Sequence, residues 1–448
     1  MARVNTVTGG RAATDAIIPG DICISVGNPG SLLPRDWQWT RLTDVARLES
    51  GHTPSRSKPE YWGGDIPWIG IRDATGNHGR TIFETNENTN ALGIANSSAR
   101  VLPKETVCLS RTASVGYVVV MGKPMSTSQD FVNWVCEDEL NPNFLKYALL
   151  AEQRALHMYS VGSVHSTIYF PEVKAFHIAL PGRNTQDGIV DVLSALDDKI
   201  ELNRRTNETL EAMAQAIFKD WFVDFGPVRR KMQGETNPTA ILGGLIDDPA
   251  KAGTLATLFP DTLGANGLPE GWSEGRLQDV TTLSYGKSLP KRDRKDGPYK
   301  VYGSGGASGS HDKALVNGPG IIVGRKGTVG SLFWEPSDFF PIDTVFYSEP
   351  VSPYSLVYIW YLLGTLPLAA MNTDAAVPGL NRDNAYRLGV ALTNEALVRR
   401  FTDIVAPIRA RIDAHDRESQ ILAETRDYLL PKLMSGNVRV AAIEKELA

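Results

Sequence analysis

The sequence has few cysteines and no long apolar run. Only Cys23, Cys108 and Cys136 occur among its 448 residues, and none is spaced as C-x-x-C, so we expect neither a zinc site nor a disulfide framework. Because no run of about eighteen apolar residues is present, we expect no transmembrane helix. Residues 1–20 lack the apolar stretch of a secretory signal. These absences predict a cytoplasmic protein.

The chain also lacks an excess of positive charge. Its formal net charge is −5 and its pI is about 5.9. Proteins that hold nucleic acid through overall charge are usually basic, so any contact with nucleic acid has to come from local basic patches. The hydrophobic fraction of 42% and the charged fraction of 22% are typical of globular proteins. The length predicts roughly three domains.

An internal repeat organises the sequence. The first half contains "WQWTRLTDVARLESG" and the second contains "WSEGRLQDVTTLSYG", which share W-x-x-x-R-L-x-D-V-x-x-L and end in Gly51 and Gly286. Further on, "VCLSRTASVGYV" with Arg111 and "IIVGRKGTVGSL" with Arg325 both fit two apolar strands joined by R-x-x-[ST]-V-G. An apolar helix, a short strand and a long helix then follow in each half. The shared order indicates two copies of one module.

The long helix that ends each half carries a heptad pattern. Apolar or small residues recur at alternating steps of four and three, which is typical of helices that pair along a seam. Asn203 and Asn207 fill the central positions of the first seam, and His415, Ser419 and Arg426 interrupt the second. Helices of about 36 residues span roughly 54 Å, more than a small domain, so we expect them to pair with each other, antiparallel. The seam positions are Ile189, Leu193, Leu196, Ile200, Leu210, Ala214, Ile217 and Trp221, and Phe401, Val405, Ile408, Ile412, Leu422, Leu429 and Leu433.

These patterns predict an α+β fold. It consists of two similar mixed α/β domains separated by a pair of long antiparallel coiled-coil-like helices, with a pseudo-twofold internal repeat. Glycine and proline recur every few residues in the segment between the halves, so we expect a connector with little regular structure. The predicted boundaries are an N-terminal extension at 1–36, domains at 37–183 and 272–394, helices at 184–225 and 395–436, the connector at 226–271 and a tail at 437–448.

Six phrases of the chain are typical of one protein family: "WIGIRDATGNHG", "CLSRTASVGYVVVMG", "STSQDFVNW", "ETLEAMAQAIFKDWFVDFGPV", "FPDTLGANGLPEGW" and "TRDYLLPKLMSG". Through these phrases, from residue 37 to residue 436, the chain resembles the specificity subunit of a type I restriction–modification system. It implies two target-recognition domains that each read one half of a bipartite sequence in double-stranded DNA. It also implies helices that set the spacing and dock two modification (methyltransferase) subunits, with restriction (translocase/nuclease) subunits completing the complex. S-adenosylmethionine, ATP and Mg would then be bound only by partner subunits.

The sequence motifs of catalysis are incomplete in this chain. A phosphate-binding P-loop requires a glycine where Thr281 stands, five residues before Gly286. The phrase "NPNF" at Asn141 departs from the N/D-P-P-F/Y of adenine methyltransferases, and we interpret it as a helix start. We therefore expect no catalytic residue and no cofactor or metal site. Two alternatives stay open: an enzyme in its own right (methyltransferase or nuclease), and a protein-interaction scaffold with duplicated domains.

The candidate DNA contacts of the second half are cations in loops. Flexible cations next to glycine and proline suit contact with phosphates, although a solubilising surface loop has the same composition. Arg325 lies at the repeated turn, where it either contacts phosphate or ties the turn to a neighbouring carboxylate. The candidates are Lys287, Lys291, Arg292, Arg294, Lys295, Lys300, Arg325, Lys326, Asn381 and Arg382.

The candidate contacts of the first half are fewer and less basic. Arginine can pair with guanine and asparagine with adenine in the major groove, which favours the glycine-rich loop with Arg72 and Asn77. The candidates are Arg56, Lys58, Arg72, Asn77, Arg80, Arg111, Ser163 and His165.

Bulky residues at the helix ends are candidate anchors for protein partners. They are Trp221, Phe222 and Phe225 at the end of the first helix, and Tyr428 and Leu433 at the end of the second. The alternative is that they cap the core of the helix pair.

Overall fold

The computed structural model describes residues 12–162, 166–371 and 379–440. Its contacts divide the chain into two units, residues 1–201 with 420–448, and residues 202–419. Each unit contains one mixed α/β domain, called domain 1 and domain 2 below, together with a segment of both long helices. Because the division falls inside the helices, it differs from the predicted boundaries, which treat each helix as separate from its domain.

Domain 1 combines three sheets with short helices. The sheet orders are β1-β11-β2, β3-β10-β7-β8-β5 and β6-β4-β9. The central strands β7 and β8 are fully buried runs rich in valine, as expected for strands covered on both faces. The elements are β1 (Ile24–Val26), β2 (Trp37–Arg41), α1 (Leu42–Val45), β3 (Ala46–Ser50), β4 (Trp62–Ile69), α2 (Ile71–Gly76), β5 (Thr81–Ile82), β6 (Glu87–Thr89), α3 (Ala91–Ala95), β7 (Val107–Ser110), β8 (Val118–Met121), β9 (Ser126–Thr127), β10 (Phe131–Cys136), α4 (Pro142–Ala151), α5 (Gln153–Met158), α6 (Phe170–Lys174), β11 (Phe176–Pro181) and the long helix α7 (Arg183–Phe222).

Domain 2 repeats this arrangement. Its sheet orders are β12-β20, β13-β19-β16-β17 and β15-β14-β18, which correspond to β2-β11, β3-β10-β7-β8 and β6-β4-β9 of domain 1. In both domains the third sheet contains one parallel pair, β4 with β9 or β14 with β18. The elements are α8 (Gly226–Met232), α9 (Pro238–Ile241), α10 (Pro249–Ala256), β12 (Ser273–Arg276), β13 (Thr281–Tyr285), β14 (Tyr299–Gly303), β15 (Gly306–His311), β16 (Gly320–Gly324), β17 (Leu332–Glu335), β18 (Phe339–Pro341), β19 (Val345–Pro350), α11 (Leu356–Thr365), α12 (Arg382–Tyr386), β20 (Gly389–Leu392) and the long helix α13 (Glu395–Met434).

The segment predicted as an N-terminal extension is part of domain 1. Strand β1 pairs antiparallel with β11, and Cys23 is buried. The carboxylate of Glu152, itself buried, accepts hydrogen bonds from the main-chain N–H groups of Asp21, Ile22 and Ile24 at 2.8, 2.6 and 2.9 Å, and also from that of Cys23. The prediction of a separate extension was therefore wrong for residues 18–26. The local sequence could not show this, because the residue that binds the segment, Glu152, is about 130 residues away in the chain.

The prediction of a connector with little regular structure was also wrong. Helices α8, α9 and α10 occupy much of residues 226–256. Two of them begin with an asparagine or aspartate cap followed by proline: Asn237 accepts from Thr239 N–H at 2.9 Å, and Asp248 accepts from Ala250 N–H at 3.0 Å. Their apolar side chains join the core of domain 2, so the helices are stabilised by tertiary burial as well as by their caps.

The two long helices are each 40 residues long and pair antiparallel. In the first unit, Arg426 of α13 donates to Asp197 of α7 at 2.9 Å. In the second unit, Arg409 of α13 lies 3.2 Å from Glu211 of α7. Within the second unit alone, residues 203 and 211 of α7 meet residues 419 and 409 of α13, so numbers rise along one helix as they fall along the other. This confirms the predicted antiparallel pairing. Helix α7 ends at Phe222, three residues before the predicted boundary, and Phe225 then adopts left-handed backbone dihedrals.

The polar residues predicted in the seam bond across it within the second unit. Asn203 donates to the Ser419 hydroxyl at 3.2 Å, and Asn207 Oδ1 lies 2.8 Å from His415 Nδ1. Asn203 also donates to Glu418 at 2.8 Å. Asn203 and His415 are buried, and a shift of register would leave their polar groups without these partners in the interior. The contacts therefore favour a single register for the pair.

Candidate nucleic-acid interface

The repeated turn has the same main-chain geometry in both domains. The N–H groups of Arg111 and Arg325 donate to the carbonyl of the loop before β10 or β19, at 2.7 and 2.9 Å. Their carbonyl groups accept from Ile168 and Leu380, at 2.9 and 2.8 Å. The sequence repeat R-x-x-[ST]-V-G is therefore a repeat of structure, with one arginine held at the same place in each domain.

The glycine that closes each turn is required by the backbone. Gly116 has a φ of 98° and Gly330 a φ of 70°, a region that disfavours side chains with a Cβ. A Cβ on Gly330 would also lie 2.4 Å from the main-chain nitrogen of Ala369.

The turn arginines donate to main-chain carbonyls. Arg111 Nη2 lies 3.2 Å from the Gln129 carbonyl oxygen, and Arg325 Nη1 lies 3.1 Å from that of Asp343. Neither arginine forms an ion pair with a carboxylate in the described ranges. The alternative that the arginine ties the turn to a neighbouring carboxylate is therefore not what the structure shows. Partial burial lowers the pKa of Arg111, against the opposing charge of Asp130.

The guanidinium group of each turn arginine lies over an aromatic ring, and the residue that provides this ring stands at a different position in each domain. The Arg111 guanidinium lies 4.8 Å from the ring centroid of Phe170. The Arg325 guanidinium lies 4.8 Å from that of Tyr285, and the Arg382 guanidinium lies at the same distance from the same ring. Among the described residues the Arg382 Nε atom is buried without a hydrogen-bond partner. The structure thus brings two predicted contacts of domain 2 together around Tyr285.

The other cations of domain 2 divide into anchored and exposed side chains. Arg294 donates to the Ser308 carbonyl at 2.5 Å, and Lys300 lies 3.0 Å from the buried carboxylate of Glu335. Both side chains therefore support the loop structure. The Asn381 side chain caps α12 by accepting from Asn384 N–H at 3.1 Å. The exposed predicted cations are Lys287, Lys291, Arg292, Lys295 and Lys326.

The first predicted loop of domain 1 is organised by an ion pair and two tryptophans. Both guanidinium nitrogens of Arg56 bond the carboxylate of Glu87, at 2.5 and 2.8 Å, which lowers the pKa of Glu87. The same guanidinium lies 4.0 Å from the ring centroid of Trp62 and 4.8 Å from that of Trp68. Lys58 is exposed beside this cluster.

Of the candidate DNA contacts in and beside the glycine-rich loop after α2, some side chains are exposed and others are engaged within the protein. Arg72 is exposed on α2. The Asn77 amide instead donates to the Asp73 carbonyl at 2.9 Å, where it completes the end of α2. Arg80 lies 3.9 Å from Glu201 of α7. Ser163 and His165 lie outside the described residues.

Most of the predicted partner anchors are buried, and that prediction was wrong for three of them. Trp221 and Phe222 are 1% and 6% exposed and pack in the core of domain 2, while Leu433 is fully buried in the core of domain 1. Phe225 is partly buried against Trp272. The physical reason is that the end of each long helix closes a domain core. Tyr428 differs, being 63% exposed with Lys432 over its ring at 3.6 Å.

Within residues 12–162, 166–371 and 379–440, no group of three or more His, Cys, Asp or Glu side chains is placed to hold a metal ion. Burial raises the pKa of the Cys136 thiol to about 12 and that of Cys108 further, whereas reactive and metal-binding cysteines need the thiolate. Among the residues that the structure describes, no helix has the length and apolar character needed to cross a membrane.

Tyr285 is the functional candidate that the sequence interpretation missed. It directly precedes the repeated Gly286, at the position that Ser50 holds in the first half. An aromatic residue that differs between otherwise matching positions was the available signal. Its significance depends on Arg325 and Arg382, which come near only in the folded domain.

The type I restriction modification DNA specificity domain family matches the chain at residues 34–212 and again at 269–375. The chain belongs to this family. The two matches fall on the two halves of the internal repeat, so the family assignment and the observed duplication agree. The sequence resemblance is thereby confirmed.

Two curated relatives and one solved structure extend the family comparison. The MjaIX specificity subunit of Methanocaldococcus jannaschii is 24% identical, over 91% of this chain and 95% of its own. The HindI specificity subunit of Haemophilus influenzae is 25% identical, over 66% and 77%. The type I restriction–modification S subunit of M. genitalium superposes with a TM-score of 0.57 at 19% identity, covering 91% of this chain and 98% of that one. This last similarity shows a shared fold.

Proposed function

We propose that this chain is the DNA-specificity subunit of a type I restriction–modification complex and that each domain reads one half of a bipartite target. The observation that carries the proposal is the pair of turn arginines, Arg111 and Arg325. Both have the same main-chain contacts, while the side chains around them differ. A common framework with different surroundings suits two domains that contact the same DNA backbone but read different bases.

The turn arginines and the exposed lysines of domain 2 would contact phosphates. Phosphate contacts position a protein on the duplex and weaken as salt rises. The acidic net charge of −5 is compatible with this role, because the cations concerned are gathered in a few loops. The rest of the surface can be acidic without opposing a local contact.

The long helices would set the spacing of the half-sites and dock two methyltransferase subunits. Helix α13 exposes Ile421 and Tyr428, which lie seven residues apart and so share one face. Helix α7 exposes Leu202 and Met213, eleven residues apart and again on one face. These four side chains are the part of the proposed docking surface that the exposure of the helices supports.

Chemistry is assigned to the partner subunits. We propose that S-adenosylmethionine is bound by the methyltransferase subunits, and ATP and Mg by the partner subunits that translocate and cleave. This chain would hold the duplex so that a partner can turn an adenine out of the helix for methylation. Its contribution to rate would be positioning alone.

The test is to express the full chain with its methyltransferase subunits in a host without adenine methylation and to map methylated adenines across the genome. We expect methylation confined to one bipartite sequence, and none with the methyltransferase subunits alone. Methylation at unrelated sequences would overturn the proposed role in specificity. Methyl transfer by the purified chain alone, with S-adenosylmethionine and DNA, would show instead that it is an enzyme.

A further inference from the structure

The two arginine sites can be aligned residue by residue through their hydrogen bonds. Gly51 and Gly286 are equivalent, because the N–H group of the residue after each donates to the carbonyl of the last residue of β9 or β18. Ser50 therefore corresponds to Tyr285. Ile168 and Leu380 are equivalent because each donates to the turn arginine. Two residues later, Phe170 corresponds to Arg382, since each is the first residue of a short helix.

This alignment shows an exchange of roles between the two domains. In domain 1 the ring under the turn arginine is Phe170, and Ser50 occupies the other position. In domain 2 that ring is Tyr285. In domain 2 the residue that corresponds to Phe170 therefore does not have to provide the ring beside the turn arginine. That residue is a second arginine, Arg382. The turn arginine is common to both domains, whereas Arg382 is specific to domain 2.

Two aromatic rings hold the Arg382 guanidinium in a position that suits recognition of a base. Its guanidinium lies 4.8 Å from the Tyr285 centroid and 5.7 Å from that of Tyr386. It forms no ion pair with any carboxylate that the structure describes. Aromatic rings orient the flat guanidinium group, so less side-chain entropy is lost when it binds.

We propose that Arg382 reads a guanine in the half-site of domain 2 and that Arg325 holds the adjoining phosphate. The inference rests on the proposed function, and it adds the residue that selects one base of the DNA half-site that domain 2 recognises. Arginine pairs with the O6 and N7 atoms of guanine in the major groove, which no other base presents together. A group that is the same in both domains suits the phosphate, which is the same at every site.

The test measures binding of the full chain, with its methyltransferase subunits, to the mapped target duplex. A second set of duplexes has each base pair of the domain 2 half-site replaced in turn. We expect Arg382→Ala to weaken binding to the target about five- to 150-fold. Binding to duplexes altered at one G·C pair should not weaken further, so preference at that pair is lost. Arg382→Gln should move the preference there towards A·T, because glutamine pairs with adenine.

Arg325→Ala and Arg387→Ala are the comparison variants. Arg325→Ala should weaken all duplexes by one factor and reduce the slope of log affinity against log salt by about 0.9. Arg387 is exposed just after the same short helix, and its replacement should leave base preference unchanged. Equal weakening of all duplexes by Arg382→Ala, or retention of preference at every pair, would overturn the inference. A wild-type complex without sequence preference would instead overturn the proposed function.

Discussion

At the scale of single residues, Glu152 is the clearest determinant of stability. Its carboxylate is fully buried and accepts from the N–H groups of four consecutive residues, 21–24. Without it these donors would be left in the protein interior, and each unsatisfied group costs about 1–3 kcal/mol. The N-terminal strand would then lose the contact that holds it in domain 1.

We therefore predict that Glu152→Ala lowers the free energy of unfolding by about 3 kcal/mol or more. Chemical denaturation followed by circular dichroism measures this change. Glu137→Ala, which removes an exposed carboxylate of the same domain, should change the free energy by less than about 0.5 kcal/mol. Equal effects of the two substitutions would show that the buried carboxylate has no special role.

At the scale of the elements, the ends of the long helices place aromatic residues in two different environments. Trp221 packs edge-to-face on Phe259 and Phe401, at centroid distances of 5.3 and 6.2 Å, inside domain 2. Tyr428 lies on the exposed face of α13. A burial difference of this size separates a core residue from a surface residue, although both are bulky aromatics near a helix end.

We predict opposite outcomes for the two substitutions. Trp221→Ala should reduce the free energy of unfolding by about 3–5 kcal/mol, the usual cost of truncating a buried aromatic. Tyr428→Ala should leave stability within about 0.5 kcal/mol of wild type but weaken binding of the methyltransferase subunit. Denaturation and calorimetric titration measure the two effects. Unchanged subunit affinity in Tyr428→Ala would remove this residue from the docking surface.

At the scale of the whole molecule, each domain is tied to the helices it packs against by a matched set of polar contacts. In the first unit, the Tyr147 hydroxyl donates to Asp197 at 2.7 Å, and the same carboxylate bonds Arg426 of the other long helix. The second unit has the same arrangement of a tyrosine, a carboxylate and an arginine at other residues. A domain anchored to both helices has to move with them when their length changes.

The contacts of the second unit involve Tyr361, Glu211 and Arg409. The Tyr361 hydroxyl donates to Glu211 at 3.3 Å, and Arg409 bonds the same carboxylate at 3.2 Å. Tyr361 holds the position in α11 that Tyr147 holds in α4, because each lies six residues after the helix cap. Both domains thus use an equivalent tyrosine to meet a carboxylate of α7.

We predict that deleting one heptad from each helix, residues 203–209 and 413–419, shortens the recognised spacer by about three base pairs. Seven residues rise by about 10 Å, and base pairs stack about 3.4 Å apart. A whole heptad preserves the seam, so both half-sites should stay the same. Mapping of methylated adenines measures the spacer.

The control for this deletion keeps the helix length and removes polar seam contacts. Asn207→Ala combined with His415→Ala should lower stability while the spacer stays at its wild-type length. A spacer that is unchanged after the deletion would show that helix length does not determine the distance between half-sites.

Local sequence patterns by themselves determined the repeat, the heptad seams and the residues at the two turns. These features depend on periods of a few residues and on fixed backbone requirements such as the positive φ of Gly116, so they can be recognised without knowing the fold. The caps at Asn237 and Asp248 are local signals as well, but the expected connector lacked these helices, because burial in the core of domain 2 also stabilises them.

Only the tertiary structure decided which charged and aromatic residues are available to a ligand. Lys300 and Arg382 look alike in the sequence, but Lys300 meets Glu335 after a separation of 35 residues, whereas Arg382 lies against the ring of Tyr285. Trp221 is similarly covered by residues distant in the chain. Burial and ion pairing depend on what the fold brings close, and that information is not carried by any short stretch of sequence.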